Sequence, residues 1–344
     1  MPSWKSDAIG GARATPGVAS GSAPSALVLL GFALAVLIVV RAASEGSAGS
    51  DGASVEPRRA LLSWRGHGIC SLAWSPEGRR LAASGWGPEV RLWDLETGIA
   101  RSLGPDDGAP RFVLGWSPDS RGLAVGDLGG RVDTWDVVEG PRDDEDPATT
   151  MATPHDLRAM ASARGGASIR LLGPIDGRSR LLPAARRSAN SMAFTPDGRL
   201  GASAGLDGVV RVWEVESGRI CREVPVAGIG INCVTFSADG GKLASGGGGA
   251  ARVWDVASGR ELAALGDPSG GFSTLAFSPD GRSLAGATWA GRILVWDLAT
   301  GRERASLPGH DRQILALAWS PDGARLASAG HDATVRIWEL ATAP

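Results

Sequence analysis

The chain contains no tyrosine, and lysine occurs only as Lys5 and Lys242, so almost all positive charge is arginine. With a formal net charge of −2 there is no basic excess to hold a phosphate backbone, and no nucleic-acid partner is expected. The Ala, Gly and Arg richness reads as a coding-composition bias and not as chemistry. Cysteine is scarce and odd in number: Cys70, Cys221 and Cys233, each inside an apolar strand pattern and none in Cys-x-x-Cys spacing. That excludes a disulfide framework or a zinc ribbon and leaves three small buried hydrophobes. Only four histidines occur, at 67, 155, 310 and 331, few to line a catalytic channel mouth. No phosphate-binding Gly-x-x-x-x-Gly-Lys, His-Glu-x-x-His or Gly-x-Ser-x-Gly is present. Gly246–Gly249 lacks the lysine and helix a phosphate cradle needs. The one dense charge run, Arg-Asp-Asp-Glu-Asp-Pro at 142–147, lacks the alternating ligands and central glycine of a calcium loop and reads as a solvated insertion. No metal or cofactor is therefore expected.

Long apolar runs are also rare, with one exception. Residues 26–40, ALVLLGFALAVLIVV, are uninterrupted, and no charge falls between Ala14 and Val40. As a helix those fifteen residues span about 22 Å. Uncharged neighbours on one side, and a snorkelling Arg41 on the other, extend the span towards the ~30 Å hydrocarbon core. The chain accordingly divides into a polar segment 1–22, a transmembrane helix or signal anchor 23–43, a Gly/Ser/Ala linker 44–57 and a folded domain 58–344. The competing reading is a signal peptide cleaved near Val40-Arg41-Ala42, giving a secreted domain. Lys5 and Arg13 favour an N-terminus held inside, which puts the domain outside the cytoplasm; Arg41 pulls the other way.

What is abundant is tryptophan, thirteen in all, and much of it is periodic. Trp93-Asp94, Trp135-Asp136, Trp213-Glu214, Trp254-Asp255, Trp296-Asp297 and Trp338-Glu339 are separated by 41 or 42 residues, except for one gap of 78. SIRLLGPIDGR fills that gap with Leu172 in place of Trp, which makes seven units. Pro76, Pro118, Pro196, Pro279 and Pro321 each open a Ser/Thr-Pro-Asp/Glu tight turn seventeen residues upstream of the Trp. Gly98, Gly140, Gly177, Gly218, Gly259 and Gly301 follow it by five, where a two-residue hairpin needing positive φ is expected. A period near forty with four short strands per copy predicts an all-β, seven-bladed propeller.

The pattern resembles the WD40-repeat family across about residues 58–344. The resemblance implies that a blade can be knitted by a His-Ser-Asp-Trp hydrogen-bonded set. Only the seventh unit carries it whole, as His310, Ser328, Asp332 and Trp338. The fourth keeps Ser203, Asp207 and Trp213 without the histidine, and the first has Gly87 at the Asp position. Such a self-satisfied network offers no exposed nucleophile, so its likeness to a hydrolase triad is superficial. The ends predict ring closure: RRALLSWRGH at 58–67 aligns with RERASLPGH at 302–310, so a strand near Ala60–Trp64 should complete the last blade.

Of the other seven tryptophans, Trp74, Trp116 and Trp319 stand where other units have Phe and Trp64 reads as packing in the closing strand, which leaves Trp4, Trp86 and Trp289. Trp86 and Trp289 each lie seven residues before the strand-ending Trp, and His331 occupies the same offset in the seventh unit. In ring order these are blades 1, 6 and 7, so the three should be neighbours, bordered by Asp267, Asp311 and Arg312. Exposed aromatics beside charge suit a protein-binding hot spot; local packing over the glycine-rich turns is the alternative. The function expected is a non-catalytic, membrane-tethered scaffold for protein partners. The runner-up is an exported propeller acting as a small-ligand sensor or hydrolase through its channel mouth.

Overall fold

The computed structural model describes residues 31–32, 59–63, 68–103, 111, 113–117, 119–126, 132–137, 160–163, 168–172, 179–183, 189–226, 230–266, 270–307 and 310–340. Every regular element among them is a strand, and the strands gather into seven sheets. The first, fourth, fifth and sixth units each form an antiparallel four-strand meander, as in Ile69–Trp74, Arg80–Gly85, Val90–Asp94 and Ala100–Leu103. The second and third show three described strands each. First strands of neighbouring units pack side by side, from the fourth unit through the seventh and on to the first and second.

The seventh sheet is completed from the other end of the chain. Arg59–Ser63 pairs antiparallel with Thr334–Glu339, in the register Arg59 opposite Trp338 and Ser63 opposite Thr334. The strand lies one residue earlier than the alignment suggests, and Trp64 falls outside the described residues. The pairing satisfies the outer edge of a sheet that would otherwise expose its backbone groups.

Packing explains why this sequence repeats so regularly. Each hydrophobic cluster lies between two sheets, one face from each. Leu81, Ala83 and Trp93 of the first unit, for instance, meet Ala316, Ala327 and Ile337 of the seventh. The second strands supply small residues beside the indoles, as at Gly201, where an added Cβ would overlap the Trp213 ring. Trp93, Trp213, Trp254, Trp296 and Trp338 are all buried, and cutting one back to alanine costs about 3–5 kcal/mol.

Two expectations are modified. The glycine five residues after the Trp has positive φ at 98, 218, 259 and 301, yet the hairpin it closes is not a two-residue one. Asp94 N–H bonds Ile99 O at 2.8 Å and Gly98 N–H bonds Asp94 O at 2.9 Å, enclosing a four-residue loop. The loop is long because the Asp side chain caps it: Asp94 Oδ1 accepts from Thr97 N at 2.9 Å and Thr97 Oγ1 at 2.7 Å. Asp255 with Ser258 and Asp297 with Thr300 repeat this. The second modification concerns the N-terminal span 23–43. Its described residues, Gly31–Phe32, form a two-residue strand, parallel to Ala189–Phe194 of the fourth unit, and not a helical turn. The rest of the span and segments 1–22 and 44–57 lie outside the described residues. No helix among those described is long and apolar enough to cross a membrane.

Candidate functional site: the arc of turns over the sixth, seventh and first units

Three turns that join second to third strands lie in line. Trp289 N–H bonds Gly271 O at 3.1 Å, His331 N–H bonds Gln313 O at 3.0 Å and Trp86 N–H bonds Gly68 O at 3.2 Å. Each turn thereby leans on the residue that leads into its own first strand. The units are then linked to one another. His310 N–H of the seventh reaches Gly291 O of the sixth at 3.4 Å. A Cβ built on Gly68 of the first unit would lie 2.9 Å from His331 Nδ1 of the seventh. The order along the arc is therefore Trp289, His331, Trp86.

The two indoles are half-open to solvent, Trp289 at 50% and Trp86 at 39%. Trp289 also lies against bare backbone, since a Cβ on Gly271 would fall 2.9 Å from its ring. Local packing and exposure thus coexist: one face covers Gly271 and the remainder is accessible. Asp311, 91% exposed in its side chain, and the exposed Arg312 border His331. Asp267 lies outside the described residues. The expected set omits Leu206, which holds the same offset in the fourth unit and is 53% exposed. Its offset from Trp213 was the available signal; considering aliphatic as well as aromatic residues at that position would have found it.

Beneath the arc, the seventh unit's polar residues form one hydrogen-bonded chain. His310 Nδ1 is 2.9 Å from Asp332 Oδ2 and His310 Nε2 is 2.6 Å from Ser328 Oγ. Trp338 Nε1–H donates to Ser328 Oγ at 2.9 Å. Because the indole can only donate, Ser328 accepts from it and gives its own proton to His310 Nε2, which leaves Nδ1–H for the Asp332 carboxylate. A neutral His310 satisfies every partner. Burial raises the Asp332 carboxyl, but the charge that His310 carries when protonated, together with hydrogen bonds from Thr334 and the ring, outweighs it and holds the group below the usual carboxylate range. Ser328 is buried and its oxygen is fully engaged, so it has nothing to attack. In the fourth unit, which lacks the histidine, Trp213 Nε1 is buried without a hydrogen-bond partner among the described residues.

Arginines two residues ahead of the strand-ending Trp, unremarked in the sequence pattern, sit beside these acids. Arg336 Nη2 lies 3.4 Å from Asp332 and 3.9 Å from Asp311. Arg211 bridges Asp207 at 2.7 Å and Glu223 at 2.8 Å. The second unit inverts the arrangement: Asp133 takes the arginine's place and pairs at 3.1 Å with Arg111, which replaces the apolar residue opening the first strand. No group of three or more His, Cys, Asp or Glu suited to a metal occurs among the described residues. Burial pushes the Cys70 and Cys233 thiols up to about 12, so both behave as inert hydrophobes, whereas Cys221, on the alternating outer strand Ile220–Pro225, is exposed and corrects the expectation that all three are buried.

The repeat spacing, the four-strand sheets and the knitted seventh unit meet in one comparison. The WD domain, G-beta repeat family matches residues 58–94, 180–214, 226–255, 259–297 and 301–339. The chain belongs to the WD40-repeat family. No curated protein matches it. The stretch 95–179, between the first two matches, contains the acidic run and the unit whose Trp is replaced by Leu172.

Proposed function

We propose that this WD40 chain is a non-catalytic scaffold whose seven-bladed ring presents the Trp289–His331–Trp86 arc to a protein partner. The observation that carries the reading is the pair of half-exposed indoles, held on turns of units joined through His331, with Asp311 and Arg312 at the edge. Rigid aromatics flanked by charge are the usual anchors of a protein interface. The family's general use in protein–protein contact supports the same reading. Double replacement of Trp86 and Trp289 by alanine should abolish crosslinking to the partner while leaving the melting temperature within a degree or two. Unchanged crosslinking and unchanged melting together would reject the arc as the binding surface.

We propose further that residues 23–43 tether the ring to a membrane with the propeller outside the cytoplasm. The support is the uncharged stretch from Ala14 to Val40. The parallel pairing of Gly31–Phe32 with the fourth unit is the competing placement. Alkaline extraction separates them: a spanning segment stays with the lipid pellet, and a segment laid along the sheet is released.

A further inference from the structure

The first strands of the units are joined sideways by side chains that bond the main chain of the next unit: Ser191 Oγ accepts from Val234 N–H at 3.0 Å, and two opposite donor devices recur. In the fourth, fifth and sixth units a bulge follows the strand's first residues, interrupting the register between Ala189 and Ser191, Ile231 and Cys233, and Phe272 and Thr274. A bulge re-aims the unpaired side chain, and here it points forward. Asn190 Nδ2 donates to Ile231 O at 3.0 Å, Asn232 Nδ2 to Phe272 O at 3.4 Å and Ser273 Oγ to Ile314 O at 2.6 Å. In the seventh, first and second units the strand ends in Trp where the fourth, fifth and sixth have Phe, and the indole points backward. Trp319 Nε1 donates to Ala276 O at 3.1 Å, Trp74 to Ala318 O at 3.5 Å and Trp116 to Ala73 O at 2.9 Å. The units with forward donors have Phe194, Phe236 and Phe277 at the strand end; the first and seventh units carry the same bulge, with Cys70 and Leu315 in it. One device replaces the other.

The two sets converge. The seam between the sixth and seventh units is bonded from both sides, by Ser273 and by Trp319. The next seam, between the seventh unit, whose sheet holds both ends of the chain, and the first unit, is bonded by Trp74, with the Arg325 guanidinium 5.8 Å from its ring. These seams lie under the arc. We infer that the sixth, seventh and first units open and close as one block, so that the arc exists as a surface only when the ends of the chain have met. Trp86 is some two hundred residues from Trp289 and His331 in sequence and reaches them only through the seventh-to-first seam. A partner that binds the assembled arc and not its parts therefore stabilises ring closure by mass action. This inference rests on the arc being the binding surface, but its test needs no partner.

Hydrogen exchange of the full-length protein provides the test, with Trp319→Phe, which adopts the residue three other units carry, and Ser273→Ala, which leaves every aromatic in place. The expected result is that either substitution raises exchange about tenfold, the factor for a lost hydrogen bond of this kind. The rise should appear together at residues 59–63 and at the amides of Trp86, Trp289 and His331, while Leu200–Gly205 of the fourth unit keeps its protection. Exchange confined to 272–277 and 314–319, a uniform rise along the chain, or no rise would each overturn the inference. Trp86→Ala with Trp289→Ala spares the latches, so lost crosslinking with native exchange would leave the latch result standing, and unchanged crosslinking would fail the binding reading alone.

Discussion

Ser328 holds the seventh unit together because its hydroxyl is used in both directions, accepting from Trp338 and donating to His310. Ser328→Ala leaves a buried indole N–H and a buried ring nitrogen without partners, at about 1–3 kcal/mol each. Urea denaturation should show a clear loss of stability. Ser203→Ala, in a unit that lacks the histidine, should cost less than half as much. The turn carboxylates set the acid limit. Hydrogen bonds from Ser258 hold Asp255 below the usual carboxylate range, and those from Thr300 do the same for Asp297. At Asp94 burial raises the value, but the Thr97 bonds prevail and lower it. A carboxyl whose folded value is depressed stabilises the fold above its ordinary range, near pH 4, and loses that contribution as pH falls through the lowered value. Stability should therefore be flat near neutrality and fall steeply below about pH 4. Asp255→Asn and Asp297→Asn should flatten that acid limb in a pH series of thermal melts.

At the scale of strands, the closing segment is the sharpest test of assembly. A chain starting after residue 63 loses the partner of Thr334–Glu339 and exposes a full strand edge. It should lose its single cooperative melting transition and self-associate, as sedimentation would report, and a supplied peptide of residues 57–66 should restore it. The strand order and this closure were legible in the sequence because they rest on period, on proline-started turns and on a repeat cut between outer strand and Gly-His. The lateral latches were not. Trp74, Trp116 and Trp319 look like core residues from their apolar neighbours, and only coordinates show each indole N–H reaching a carbonyl one unit back. A glycine with positive φ suits both a two-residue turn and a side-chain-capped four-residue loop, so by itself it does not set the hairpin length. The deciding signal was the Asp-x-x-Thr/Ser spacing of Asp94–Thr97 and Asp255–Ser258.

For the whole molecule, the family, the meander sheets and the joined ends describe a platform, and the arc is its proposed binding surface. Trp86, Trp289 and His331 could be placed together from offsets alone because the repeat fixes their radius and height. Leu206 escaped because it is neither aromatic nor charged, although it is more exposed than either indole. Membrane attachment is checked separately: full-length chain should stay in the pellet at alkaline pH, and chain lacking residues 1–43 should appear in the supernatant. The most direct measurement of the scaffold reading is photocrosslinking in intact cells with a light-activated residue at position 289, at 86, or at Leu262, which is exposed on an outer strand of the fifth unit. The account predicts the same protein adduct from 289 and 86 and none from 262. Adducts equally strong from 262, or none from either arc position, would contradict it.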